Sequence, residues 1–271
     1  MIKKIYNQNY NSILKNINFY IEKFLLDGIL FFDNLNIDKQ SEWDIFCRIG
    51  DKLGFFPNSS SGPLPMLPFS GLNEDHKGTF YRHKEKISKD SIFIEWHLEN
   101  LHKSSPQVAA LWNMTKFECQ PDCGTTGFAN MANIYNMFPK NIKEYLDNLE
   151  IILTFDTDIN GQLIINSSKK ITKAVVNHYY TNEKILRIPL YLDEYNVPSE
   201  FLGKELIYVQ NFINDNIVNG NSYVDWINWS QNDVVIVDLF LMAHAVKGGF
   251  NIGERIFSRI WAYNNIEHMV L

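Results

Sequence analysis

The sequence is poor in cysteine: three residues in 271, Cys47, Cys119 and Cys123. An odd, small number in so long a chain argues against a disulfide framework, and thiols in a reducing compartment are the plainer expectation. No second Cys or His pair stands at zinc-site spacing from Cys119 and Cys123, so a closed four-ligand zinc site is not expected. A cluster of Lys and Arg is also missing. Acidic residues number 31 against 25 basic, for a formal net charge of −6, whereas a polyanion such as nucleic acid demands a basic patch. The N-terminus lacks the uninterrupted apolar stretch of a signal peptide. Its most apolar run, Phe24 to Phe32, contains Asp27 and Gly28 and falls well short of the about 20 residues that span a bilayer. These absences predict a cytoplasmic protein that acts on a small molecule, with no nucleic acid and no membrane as partner.

What is present is the material of a packed domain, 45% hydrophobic and 14% aromatic. The length suffices for a sizeable core, and neither an internal repeat nor a domain boundary stands out, so residues 1–271 are read as a single domain. Apolar spacing predicts a helix over 8–25, a buried strand over 28–32, and a helix over 39–53 stopped by Gly54. Residues 58–73 are rich in Ser, Gly and Pro. The stretch 57–90 is read as a loop, either a lid over a site or a plain linker. Strands are predicted over 91–98 and 107–115, and helix over 127–150 with Pro139 as a break. Further strands follow over 151–166, 170–178 and 184–191, with a turn at Asn160-Gly161, and then over 234–240 and 255–263. Many short strands with helices toward one end predict a mainly β protein with flanking helices, a sandwich or a jelly-roll barrel.

Two features carry chemistry. In Trp96-His97-Leu98-Glu99, strand alternation puts His97 and Glu99 on one face, where an imidazole and a carboxylate can reach one ion. Taken alone, such a pair is more often a surface pair than a ligand set. At the other end of the chain, His244 follows a strongly apolar strand, and a turn holding Gly248, Gly249 and Gly253 leads into a last strand. There Arg255, Phe257, Arg259 and Trp261 share one face. A buried guanidinium needs an anion beside it, although a solvent face carrying two charges reads the same way. Two histidines and a carboxylate on one side of an iron leave positions open for a cosubstrate and oxygen. An arginine fork would suit the far carboxylate of 2-oxoglutarate.

The order HxE, long insert, distant His, then Arg 11 and 15 positions after His244 resembles the taurine-dioxygenase (TauD/TfdA) type of iron(II)- and 2-oxoglutarate-dependent oxygenases. Other stretches resemble that family too: GILFFDNLNIDKQSEWDIFCRIGDKLG, CGTTGFANMANIYNMFPKNIKEYLDNL, NHYYTNEKILRIP and WSQNDVVIVDLFLMAH. Together they run from about residue 27 to residue 263. The resemblance implies a double-stranded β-helix (jelly-roll) core, with His97, Glu99 and His244 as iron ligands. It implies that Thr126, the Thr of Gly-x-Thr, hydrogen-bonds the distal carboxylate of 2-oxoglutarate and that Arg255 forms its salt bridge. Arg259 either helps hold the cosubstrate or meets an anionic group on the substrate. Thr126 alone reads equally as a helix N-cap. The cofactors implied are Fe(II), 2-oxoglutarate and O2, and family members are often homo-oligomers.

Glu99 stands where Asp is commoner. The HxE form is similar to the subgroup around clavaminate synthase and the β-hydroxylases of free arginine and asparagine, which points to an amino acid or a derived metabolite as substrate. A carboxylate at this position also argues against halogenation. The expected reaction is hydroxylation of an unactivated C–H bond, with desaturation and ring closure not separable from it. A non-oxidative metal enzyme and a catalytically silent ligand-binding protein on the same fold are the alternatives.

Overall fold

Every residue of β2 (Ile29–Phe32) and β13 (Val234–Asp238) is buried, because apolar layers cover both sides of the sheet they build. The computed structural model describes residues 2–53, 55–57, 69–70, 92–99, 108–116, 123–159, 162–192, 196–250 and 256–264. In the major sheet the order is β1 (Lys4–Ile5), β2, β13, β6 (Val108–Asn113), β15 (Ile256–Asn264), β3 (Phe55–Pro57), and β4 (Phe69–Ser70) pairs with β15 as well. The minor sheet has the order β12 (Asp225–Ile227), β7 (Thr126–Asn130), β14 (Met242–Lys247), β5 (Ile92–His97). Along the chain, β5, β6 and β7 alternate between the two sheets, as do β12 to β15. That alternation is the jelly-roll expected from the sequence.

Side-chain alternation divides the apolar residues between two cores. Leu30, Phe32, Val234, Ile236, Ala110, Trp112 and Ile260 point away from the minor sheet. They pack under α1 (Tyr10–Lys15), α2 (Ile17–Asp27) and α3 (Lys39–Leu53) through Ile13, Phe24, Ile45, Phe46 and Ile49. Ile29, Phe31, Val235 and Val237 belong to the second core, with Phe128, Ala243 and Ala245 of the minor sheet. That core extends to Ile134 of α4 (Met131–Met137), Leu146 of α5 (Lys140–Asn148), and Val209 and Ile213 of α6 (Lys204–Ile213). Each large apolar side chain so buried contributes about 1.5–3 kcal/mol.

Local chemistry sets the helix ends. Asn9 and Ser12 cap α1 reciprocally, each side chain accepting the other's backbone N–H at 3.0 and 2.9 Å. Gly28 ends α2 at φ +71, a left-handed position that suits glycine, and a Cβ there would meet Leu241 and Met242. Asn130 caps α4 by accepting from Ala132 and Asn133.

Several sequence expectations shift. The helix predicted over 127–150 begins only at Met131. Its first residues belong to β7, whose pairing with β12 and β14 overrides local preference. The strands predicted over 151–191 are β8 (Glu150–Ile159), β9 (Gln162–Lys173), β10 (Val175–Asn177) and a shorter β11 (Lys184–Leu186). Helix α6 and strand β12 were not anticipated. The turn at Asn160-Gly161 lies outside the described residues, as does the predicted loop over 57–90 apart from Pro57, Phe69 and Ser70. Cys47 is a free thiol, but Cys123 is disulfide-bonded, so the expectation of thiols alone is corrected. Cysteine count and spacing report nothing of the Cβ separation that decides pairing.

Asp233 ties the N-terminal strand to the sheet. Fully buried, it accepts from Lys4 Nζ at 2.9 Å, the Asn34 N–H at 3.0 Å and the Ser230 N–H at 2.7 Å. Removing the carboxylate takes the acceptor from the Asn34 and Ser230 N–H groups in a dry place, while Lys4 keeps Asp33 at 3.0 Å. Asp233→Ala is expected to lower the unfolding free energy by about 2–4 kcal/mol, read from urea denaturation, with Asp233→Asn costing less.

Candidate metal centre

β14 lies between β7 and β5, and directly opposed residues on neighbouring strands face the same side. His244 is opposite His97 on one flank and Phe128 on the other, so the two imidazoles share a face. Val246 is opposite Thr126, which puts Thr126 on that face one pleat along. The pairing with β5 is irregular: while β14 advances from His244 to Val246, β5 covers His97 to Ile94, one residue more. Such bulges re-aim side chains beside functional sites. β5 also ends at His97, leaving Glu99 in a bend past the strand rather than within it. Its carboxylate nevertheless returns to the same face. Glu99 Oε1 is 3.8 Å from Nε2 of His97 and 3.8 Å from Nε2 of His244. One donor atom from each residue lies within 4.8 Å of the others.

The surroundings favour a cation here. The Nδ1 of His97 is 2.7 Å from the Glu95 carbonyl, so that nitrogen carries the proton and Nε2 offers its lone pair to the centre. Burial pulls the His97 pKa down, but the Glu99 carboxylate and the Glu95 carbonyl outweigh it and the net shift is upward. For His244, burial and then the neighbouring His97 push the pKa down to about 4. That ring is neutral at neutral pH, the form that binds metal. Two imidazole nitrogens and one carboxylate oxygen, gathered from one side, form a donor set that suits iron and leaves other positions open.

The family model for taurine catabolism dioxygenase TauD, TfdA family, matches residues 19–261. The chain belongs to that family. It is an iron(II)- and 2-oxoglutarate-dependent oxygenase, with Fe(II), 2-oxoglutarate and O2 as its cofactors. Similar solved structures include AAD-2 in complex with Mn(II) and N-oxalylglycine, at 12% identity and TM-score 0.65 over 97% of this chain and 94% of that one. A putative alpha-ketoglutarate-dependent taurine dioxygenase from Burkholderia xenovorans gives 14% identity and TM-score 0.64 over 96% and 88%. A taurine dioxygenase from the same organism gives 13% identity and TM-score 0.58 over 92% and 82%. No curated protein matches the chain. Among the described residues, no helix is long and apolar enough to cross a membrane.

In this oxygenase Thr126 is buried in β7, four residues ahead of the Asn that caps α4, so it is not the N-cap. Its hydroxyl accepts the indole N–H of Trp229 at 2.9 Å. Trp229 stands edge-on to Phe257 of β15, at 4.7 Å between centroids, and packs on Phe31. Sequence reasoning missed both Trp229 and the Glu95 carbonyl; a tryptophan inside the polar run Asn228–Asp233 was the one available signal. Arg255 lies outside the described residues. Arg259 is in β15 opposite Leu111.

The far side of the minor sheet explains why a glycine sits beside the site. Trp96 and Trp226 cross edge to face there, 5.5 Å apart, with Lys247 Nζ 4.3 Å over the Trp226 ring. A Cβ on Gly127 would come within 2.8 Å of Trp96 and 2.9 Å of Trp226. Gly127→Val is expected to destabilise the fold by about 1–3 kcal/mol, measured as a lowered melting temperature of the metal-free protein.

Proposed function

We propose that His97, Glu99 and His244 hold the iron, and that the oxygenase hydroxylates an unactivated C–H bond of a free amino acid or an amino-acid-derived metabolite. The observation that carries the ligand set is the meeting of these three donors within 4.8 Å, although Glu99 and His244 are far apart in the chain. Bound iron supplies the activation of O2 that couples C–H oxidation to conversion of 2-oxoglutarate into succinate and CO2. The chain's part is to bind, orient and keep dry. Glu95 holds His97 in the tautomer that presents Nε2. Glu99 occupies the carboxylate position, which favours hydroxylation over halogenation. The Thr126 hydroxyl, oriented by Trp229, donates to the distal carboxylate of 2-oxoglutarate. Arg255 pairs with the same group as a fork, and Arg259 assists it or meets an anionic group on the substrate.

The likeness to AAD-2, whose structure holds Mn(II) and N-oxalylglycine, supports a divalent ion beside a dicarboxylate of 2-oxoglutarate's length. The resemblance of the HxE form to clavaminate synthase and the amino-acid β-hydroxylases supports the substrate class. Residues 1–271 then act as one oxygenase domain.

Anaerobic titration of the apoprotein with Fe(II) and then 2-oxoglutarate is expected to develop the weak visible charge-transfer band of the chelate, and His97→Ala to abolish it. Iron binding without the band would sink the cosubstrate assignment and move a non-oxidative enzyme or a silent binding protein ahead. Arg255→Ala is expected to weaken 2-oxoglutarate binding by roughly 10- to 100-fold, the loss of a charge-assisted hydrogen-bonded pair; unchanged affinity would remove the anchor from Arg255. Trp229→Phe is expected to raise the KM for 2-oxoglutarate several-fold while leaving metal affinity intact. With free amino acids as candidates, succinate release in step with oxygen uptake identifies the substrate class.

A further inference from the structure

Glu99 presents a mechanical problem. The ligand stands in a bend beyond the end of β5, and a glutamate side chain has one more rotatable bond than an aspartate. A second uncertainty lies on the other ligand strand. β14 is entered through the turn at Leu239–Leu241, directly after β13.

One buried side chain reaches both places. Arg187 is 7% exposed. Its Nη1 donates to the Phe240 carbonyl at 2.6 Å and its Nη2 to the Glu99 carbonyl at 3.3 Å. The guanidinium also stacks on Phe240, with Cζ 4.0 Å from the ring centroid. The turn it grips is pinned from the other side. Asp238 Oδ1 accepts the N–H groups of Phe240 and Leu241 at 3.0 and 3.1 Å. Asp238 Oδ2 is 2.8 Å from Nε2 of the buried His178. The Nδ1 of His178 accepts the Thr181 N–H at 3.3 Å, so Nε2 carries the proton and donates to Asp238. His178 and Arg187 stand at opposite ends of the hairpin of β10 and β11: His178 opens the connection beyond the Asn177–Lys184 pair, and Arg187 follows β11 beyond the Val175–Leu186 pair. The hairpin thereby acts as a buckle closed on both ligand-bearing segments.

We propose that Arg187 is a positioning residue for the metal centre: it fixes the backbone of Glu99 relative to the turn that leads into His244. The inference builds on the ligand assignment above. Burying a guanidinium is expensive, and the rigidity of its planar fork is what lets it hold two carbonyls at a set separation. Lysine, a single ammonium on a flexible stem, cannot hold both in that geometry.

The test uses Mn(II) and Co(II) binding by the full chain, with wild type, H97A, R187A and R187K compared. Wild type is expected to bind Mn(II) and H97A to lose it; failure of this pair overturns the ligand assignment and, with it, the role of Arg187. Given that pair, R187K is expected to raise the Mn(II) dissociation constant about 10- to 100-fold, the range for a group that orients a metal ligand, and to alter the visible ligand-field spectrum of bound Co(II). R187A should do the same, and R187K serves alone if R187A does not fold. Wild-type Mn(II) affinity and an unchanged Co(II) spectrum in a folded R187K overturn the proposal. So does a lowered melting temperature with both metal readouts unchanged, because that marks Arg187 as structural only.

Discussion

The antiparallel register that sets His244 of β14 opposite His97 of β5 and Phe128 of β7 is the constraint on which the centre depends. Side chains alternate along a strand, so a slip of one residue would turn His244 to the outer face, among Trp96, Trp226 and Lys247. Both faces of this sheet are covered, and neither would accept the other's residues. The outer face has no room even for a Cβ at Gly127, while the inner face must leave space around two imidazoles and a carboxylate. The bulge in β5 adjusts the pairing locally without releasing it.

The two cores divide the remaining work. The helices α1 to α3 bury one side of the major sheet and make it a rigid wall. The second core joins that wall to the minor sheet and to the helices behind it, so the face bearing His97 and His244 rests on packed layers from both directions. Buried polar groups stand where sheet pairing ends. Asp233 collects three donors at the start of β13, Asp238 collects three at its end, and Arg187 spans the gap from that end to Glu99. Each sits in a low-dielectric interior where an unmet donor or acceptor is costly, so each specifies one arrangement of the chain.

The electrostatics of the centre follow from the same packing. Burial leaves His244 neutral, whereas His97, closer to solvent and tied to Glu95 and Glu99, holds its proton more firmly. His244 presents a nitrogen lone pair beside a carboxylate, and a divalent cation would take the place of the proton shared between His97 and Glu99.

By itself, the sequence determined the fold class, the helices before and after β2, the strands on either side of the site, and the choice of His97, Glu99 and His244 as the three donors to look for, which the fold brings within 4.8 Å of one another. Those readings depended on periodicity and on an ordered series of motifs, both of which survive in one dimension. Only the tertiary structure decided that residues 126–130 pair as a strand instead of starting a helix, because β12 and β14 reach them from roughly 100 to 120 residues away in sequence. It also decided that Glu99 lies past its strand, that Trp229 orients Thr126, that Cys123 is disulfide-bonded, and that Arg187 bridges two segments. These are contacts between distant parts of the chain. No local pattern encodes them, because each depends on where packing brings a backbone carbonyl, an indole or a second sulfur within a few ångströms.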